Sequence, residues 1–175
     1  MSIGVSMHIM IFGRPGSGKS TFALELSQTL KIPLYHLDRY FYTNNWVERN
    51  YDEFLHLQKE LVDQGQWIID GNCLKSLEMR YQRADVAVYF CYPRFIALWR
   101  ILKRRFFVTK DCRINDRADG CQETMRWSLI KYLWTFEDRV NPIITELRKK
   151  HPQTKFYIIR NNRELQKVRA QLSSL

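Results

Sequence analysis

The chain has 175 residues, of which 45% are hydrophobic and 26% charged. That suffices for one ordinary domain with a sizeable core and excludes a disordered chain. Lysine and arginine number 28 against 18 aspartate and glutamate, a formal net charge of +10 that favours polyanionic partners: nucleotides, nucleic acid or an acidic membrane surface.

In chain order, Met7–Phe12 predicts a short buried strand rather than a signal peptide, because no basic residue precedes it and it runs straight into a glycine loop. Ser20–Leu30 predicts a helix with Phe22, Ala23, Leu26 and Leu30 on one face. Leu34–Leu37 is read as a second strand, and Tyr51–Gln64 as a helix begun by Asp52 and ended at Gly65. A third strand, Trp67–Ile69, leads into Asp70-Gly71; a fourth covers Val86–Phe90 and a fifth Phe156–Ile159. Between the last two, Met125, Leu129, Leu133, Phe136 and Val140 recur at helical spacing, with Pro142 expected to kink or restart that helix. Strands alternating with helices predict a parallel sheet covered on both faces, as one domain over residues 1–175. Cys73, Cys91, Cys112 and Cys121 form no CxxC pair and have no histidine at zinc spacing, so reduced thiols are expected. No run approaches the roughly 18 apolar residues of a membrane span. The expected location is the cytoplasm.

The chemistry begins with GRPGSGKST, Gly13 to Thr21. It matches GxxxxGK[ST] in full and lies between a predicted strand and a predicted helix, as that motif requires. Gly13, Gly16 and Gly18 permit positive φ and close approach, so the N–H groups around Pro15, Ser17 and Thr21 converge on phosphate oxygens at the positive end of the following helix. Lys19 is expected to bridge the β- and γ-phosphates and the Ser20 hydroxyl to ligate Mg²⁺. No NKxD or TKxD guanine-reading sequence occurs, which favours ATP by elimination.

Three further constellations stand out. Asp70 ends an apolar strand before Gly71, where a carboxylate can hold Mg²⁺ through its water shell; the alternative is a cap on the strand-to-loop turn. Asp38 closes the second strand, at the ligand end of a doubly wound sheet, and is either a substrate contact or a structural turn. Arg100, Lys103 and Arg104 fall at i, i+3 and i+4 on one helix face, with Leu98, Trp99 and Leu102 able to bury the other; such charge either meets an anion or is a solvated face.

Together the P-loop on the first strand, WIIDG on the third and the arginine-rich stretch after the fourth resemble the adenylate-kinase-related P-loop kinases. HLDRYFY, WIIDGN, RADVAVYF and DGCQE further resemble the bacterial group called DNA topology modulation proteins (FlaR-like). The resemblance implies a three-layer α/β/α P-loop NTPase fold, a five-stranded parallel sheet of order 2-3-1-4-5, and an Arg-rich lid over roughly residues 105–122. By the same likeness, Arg100 stacks on adenine and Arg104 reaches the transferred phosphate, while Arg113 and Arg117 close over the phosphates as arginine fingers. Asp38 with the following Tyr40, Phe41 and Tyr42 is similar to the Asp-x-Phe-Tyr element of uridine kinases, whose aspartate accepts a proton from the substrate hydroxyl. Adenylate kinases follow Asp-Gly with Phe-Pro-Arg; here Asn72-Cys73-Leu74 follows, and Arg80 or Arg83 is expected to take over the acceptor contact.

Two functions follow as expectations. One is transfer of the γ-phosphoryl group of MgATP to a small acceptor: a nucleotide, nucleoside or related metabolite. The other is an ATP-dependent nucleic-acid-binding regulator with weak ATPase activity. It rests on the net charge and the group's name, and lacks a helix-turn-helix, zinc finger or other reader.

Overall fold

The computed structural model describes residues 6–43, 47–107 and 127–174, without the side chains of residues 104–107. Strand β1 (His8–Gly13) leads through the glycine loop into helix α1 (Lys19–Leu30). Then come β2 (Leu34–His36), the short α2 (Leu37–Phe41) and α3 (Tyr51–Val62). Strand β3 (Trp67–Asp70), α4 (Leu77–Arg83) and β4 (Val86–Phe90) follow. The chain continues with α5 (Arg94–Phe107), α6 (Trp127–Trp134), α7 (Phe136–Lys150), β5 (Lys155–Ile159) and α8 (Asn162–Ser173).

The five strands form one sheet in the order β2-β3-β1-β4-β5, every pair parallel. Both faces are apolar because both are covered. On one face Ile9, Ile11, Ile68, Val86 and Val88 pack against Phe22, Ala23 and Leu26 of α1 and Val168 and Leu172 of α8. On the other, Met10, Phe12, Ile69 and Tyr89 meet Phe54 of α3, Tyr81 of α4 and Phe136 and Val140 of α7. Fully burying a side chain such as Phe54 contributes about 1.5–3 kcal/mol. This is the predicted three-layer α/β/α fold.

Four local expectations are corrected. Strand β2 stops at His36, and Asp38 lies in the first turn of α2, where its carbonyl accepts the Tyr42 N–H at 3.1 Å. The chain turns there because Leu37 goes inward beneath Gly71. Helix α3 is capped by Asn50, whose side chain accepts from the Asp52 and Glu53 N–H groups, and it closes at Val62. The helix expected to run through Phe136 breaks at Thr135 instead, while Pro142 sits inside α7. The break has a tertiary cause: Arg14 and Arg139 donate to the Leu133 and Tyr132 carbonyls at 2.9 and 3.2 Å, taking acceptors that a continuous helix would use. On α5 the buried face is Ala97 and Ile101, and Trp99 is 60% exposed. No helix among the described residues is long and apolar enough to cross a membrane.

Candidate functional site

The loop after β1 is anchored on one side and open on the other. The Arg14 N–H donates to the Phe90 carbonyl at 2.9 Å, and the Gly13 N–H donates to the Asn72 side-chain oxygen at 2.9 Å. The Arg14 guanidinium is fully buried; besides the Leu133 carbonyl it pairs with the Glu137 carboxylate, to which the Cys91 thiol also donates. Burial raises the Cys91 pKa to about 11, and Glu137 adds to the rise, so the thiol keeps its proton. At the far end of the loop Gly18 has φ 91°, left-handed backbone that a β-carbon would strain, and it caps α1 without any side-chain hydrogen bond. A β-carbon placed there would meet nothing nearer than Arg100 Nη1, at 3.9 Å. The first amides of an α-helix have no partner within it, the arrangement that binds anions.

Sheet register builds the rest. Asp70 pairs with Ile11 on one side and His36 on the other, at the carboxyl ends of three adjacent parallel strands. Alternation along β3 puts Asp70 on the same face as Ile68, the face against which α1 packs. Lys19 and Ser20, opening α1, thus meet Asp70, Gly71 and Asn72 across a cleft of about 260 Å³ including its mouth, with His36 and Asp38 completing the wall. Asp38 is exposed at the rim. Asp70 is only 4% exposed, and burial alone would raise its pKa. The Lys19 charge, the bond and charge from His36 and the Ser20 hydroxyl outweigh burial and hold the carboxyl below its ordinary value. One oxygen, Oδ2, lies 3.0 Å from His36 Nδ1; the other, Oδ1, is buried with no hydrogen-bond partner among the described residues. Such an orphaned acceptor costs about 1–3 kcal/mol, and beside a serine hydroxyl it suits the hard oxygen-seeking Mg²⁺.

Of the residues chosen from sequence, Lys19, Ser20, Asp38 and Asp70 converge on this cleft. Arg100 lies behind the loop: it donates to the Ser17 carbonyl at 2.9 Å and to Asn162 Oδ1 at 3.1 Å, with its guanidinium 4.3 Å above the Tyr92 ring. Arg80 does not line the cleft. It is 1% exposed and braces the loop after β3 from below, donating to the Asn72 and Cys73 carbonyls at 3.1 and 3.4 Å. Burial lowers its pKa to about 10, although Cys73, Asp70, Tyr51 and Asp38 all favour the cation. Arg83 is exposed and paired with Asp63 at 2.7 Å. Arg104 belongs to α5, its side chain outside the description; Arg113, Arg117 and the expected lid beyond residue 107 lie outside the described residues. Sequence reasoning missed His36 and Asn72 as lining residues and Arg14 as an anchor. The available signals were the position of His36 at a strand end two residues before Asp38 and that of Asn72 directly after Asp70-Gly71.

The architecture, a parallel sheet of order β2-β3-β1-β4-β5 with helices on both sides, matches P-loop kinase folds. The chain is 27% identical to an adenylate kinase of Corynebacterium diphtheriae, over 79% of this chain and 84% of that one. Its fold matches a shikimate kinase from Acinetobacter baumannii in complex with shikimate, with a TM-score of 0.59, 14% identity and coverage of 97% and 96% of the two chains. It also matches a gluconokinase from Sinorhizobium meliloti 1021, with a TM-score of 0.57, 14% identity and coverage of 97% and 95%. No protein-family model matches the chain.

Proposed function

We propose that the protein is a small-molecule kinase that moves the γ-phosphoryl group of ATP to a hydroxyl- or phosphate-bearing acceptor. The observation that carries this reading is the meeting of Lys19 and Ser20 with Asp38 and Asp70 in one cleft at the carboxyl end of the sheet. The names of the similar proteins, kinases of adenylate, shikimate and gluconate, support a small acceptor over a polymer.

In this reading the amides of the glycine loop and the start of α1 hold the phosphate chain, and Lys19 neutralises the β–γ bridge as charge shifts onto ADP. Ser20 and Asp70 hold Mg²⁺, which when bound supplies charge neutralisation on the phosphate oxygens. Asp38, at the rim, accepts the proton of an acceptor hydroxyl while that oxygen forms its bond to the γ-phosphorus and the bond to the β-phosphate oxygen breaks. A carboxylate is a weak base for an alcohol, so this role depends on its being held within hydrogen-bond reach of the hydroxyl. Arg100, held over the Tyr92 ring and bonded to Asn162, borders the place for the adenine. Arg80 acts on the acceptor side through the Asn72-Cys73 carbonyls that it holds. Arg104, Arg113 and Arg117 are proposed from sequence alone to neutralise the transferred phosphate.

The test is a panel of nucleosides, nucleoside monophosphates, sugar acids and small alcohols with MgATP, scored for acceptor-dependent ADP release. At least one acceptor should raise release tenfold or more over background, and Lys19→Ala should abolish it with the fold intact. Stimulation by duplex DNA and by none of the small molecules would favour the regulator instead.

A further inference from the structure

His36 is one of the few polar side chains buried among the described residues, at 8% exposure, and neither the glycine loop nor the acceptor contact needs it. Its place is fixed by sheet register: it is the last residue of β2 and pairs directly with Asp70, the last residue of β3. In a parallel pair such partners project from the same face. The consequence is the 3.0 Å contact between His36 Nδ1 and Asp70 Oδ2. A carboxylate only accepts, so Nδ1 is the donor and carries the proton.

The contact divides the two oxygens of Asp70. Oδ2 is fixed by the imidazole; Oδ1 is buried, without a hydrogen-bond partner among the described residues, in a cleft shared with Ser20 and Lys19. A carboxylate held by one oxygen has lost the rotation that would exchange the two, and donors to ligating carboxylates tune affinity in this way. The loop adds a second restraint: Asn72, two residues on, accepts the Gly13 N–H, so the segment carrying Asp70 is tied both to the neighbouring strand and to the glycine loop.

We propose that His36 is a positioning residue for the cation that accompanies the nucleotide: it holds Asp70 by one oxygen and presents the other, Oδ1, to the metal beside Ser20. This rests on the reading of the cleft as an MgATP site. The bland alternative is that His36 merely fills space beneath α2. The two differ in which ring nitrogen matters. An asparagine at position 36 can place its amide nitrogen near Nδ1, whereas a glutamine places its own near Nε2.

The experiment measures ADP binding by calorimetry, with and without Mg²⁺, in the wild type and in His36→Ala, His36→Asn and His36→Gln, with circular dichroism to confirm folding. The expected result is an approximately 10-fold or greater rise in the Mg²⁺ concentration that half-saturates its effect in His36→Ala and His36→Gln, with recovery to near wild type in His36→Asn. Metal-free ADP affinity should stay within about twofold. In an Asp70→Ala background the His36→Ala change should add less than twofold, because the two act as one unit. Rescue by glutamine and not asparagine, an unchanged Mg²⁺ midpoint, or an equal loss with and without metal would each overturn the proposal. Should His36→Ala not fold, the comparison of asparagine with glutamine decides alone. Failure of the wild type to bind ADP in any condition would instead strike the nucleotide-site reading beneath it.

Discussion

Replacing Arg14 by methionine should destabilise the protein more than any exposed charge change, because of what the guanidinium leaves behind. Arg14 is fully buried, Glu137 is 26% exposed, and the Leu133 carbonyl loses its 2.9 Å donor in the same change. Breaking a buried pair by removing one partner costs about 3–5 kcal/mol. The partial exposure of Glu137 lets water recover some of that, so about 3 kcal/mol is the expected loss. For a chain of this size that is a fall of about 6–12 °C in Tm. Urea unfolding followed by circular dichroism reads it directly. The double variant Arg14→Met, Glu137→Leu should regain part of the loss, since no uncompensated carboxylate remains. The pH dependence gives an independent sign. Burial alone would raise the Glu137 pKa, but the Cys91 thiol, Arg14 and Arg94 outweigh it and hold it below the ordinary 4.5. A depressed folded-state pKa contributes stability that is full above the unfolded value and is lost as pH falls through the folded one. The gap between wild type and Arg14→Met should therefore be full at neutral pH and narrow in acid, the part due to the Leu133 carbonyl remaining. A loss under about 1 kcal/mol, or a double variant no more stable than the single, would refute the reasoning.

Gly71→Ala should lower stability by about 1–3 kcal/mol and reduce turnover with it: φ is +149° and the added carbon would sit 2.7 Å from Leu37 Cβ, pushing on the turn that carries Asp38. Thermal unfolding and steady-state kinetics on the same preparation check both. Asp38→Asn keeps shape and removes the proton acceptor, so with a hydroxyl acceptor kcat should fall about 10²-fold or more while KM for ATP stays within a few-fold; an unchanged kcat would remove Asp38 from the chemistry. Asn72→Ala frees the Gly13 N–H from its 2.9 Å partner and should weaken nucleotide binding severalfold, measured by calorimetry, at a stability cost of about 1 kcal/mol.

Much of the architecture was legible because its signals are local. Short apolar runs bounded by loops marked the five strands and the glycine loop marked the β1-to-α1 turn, so a parallel sheet could be read from residues alone, while its strand order came from the family resemblance. What escaped depended on contacts distant in sequence. At the break near Thr135, Arg139 takes the Tyr132 carbonyl locally, but it is Arg14, from the other end of the chain, that occupies the Leu133 carbonyl. Likewise His36 reads as an ordinary strand-end residue until register sets it against Asp70. Arg80 was chosen for its charge and position after Asp-Gly, yet the turn over 72–76 carries it beneath the loop, where it supports backbone and does not face the cleft. Trp99, expected from the helix pattern to help bury one side of α5, is 60% exposed, since spacing names a face without saying which neighbour covers it.

The most direct test is a crystal structure with a non-hydrolysable ATP analogue and Mn²⁺ in place of Mg²⁺, with the metal located by its anomalous signal. The account predicts the γ-phosphate within hydrogen-bond distance of Lys19 Nζ and a single metal peak beside Ser20 Oγ, facing Asp70 Oδ1. A nucleotide bound elsewhere, or a phosphate chain in the cleft with its metal away from Ser20 and Asp70, would contradict it.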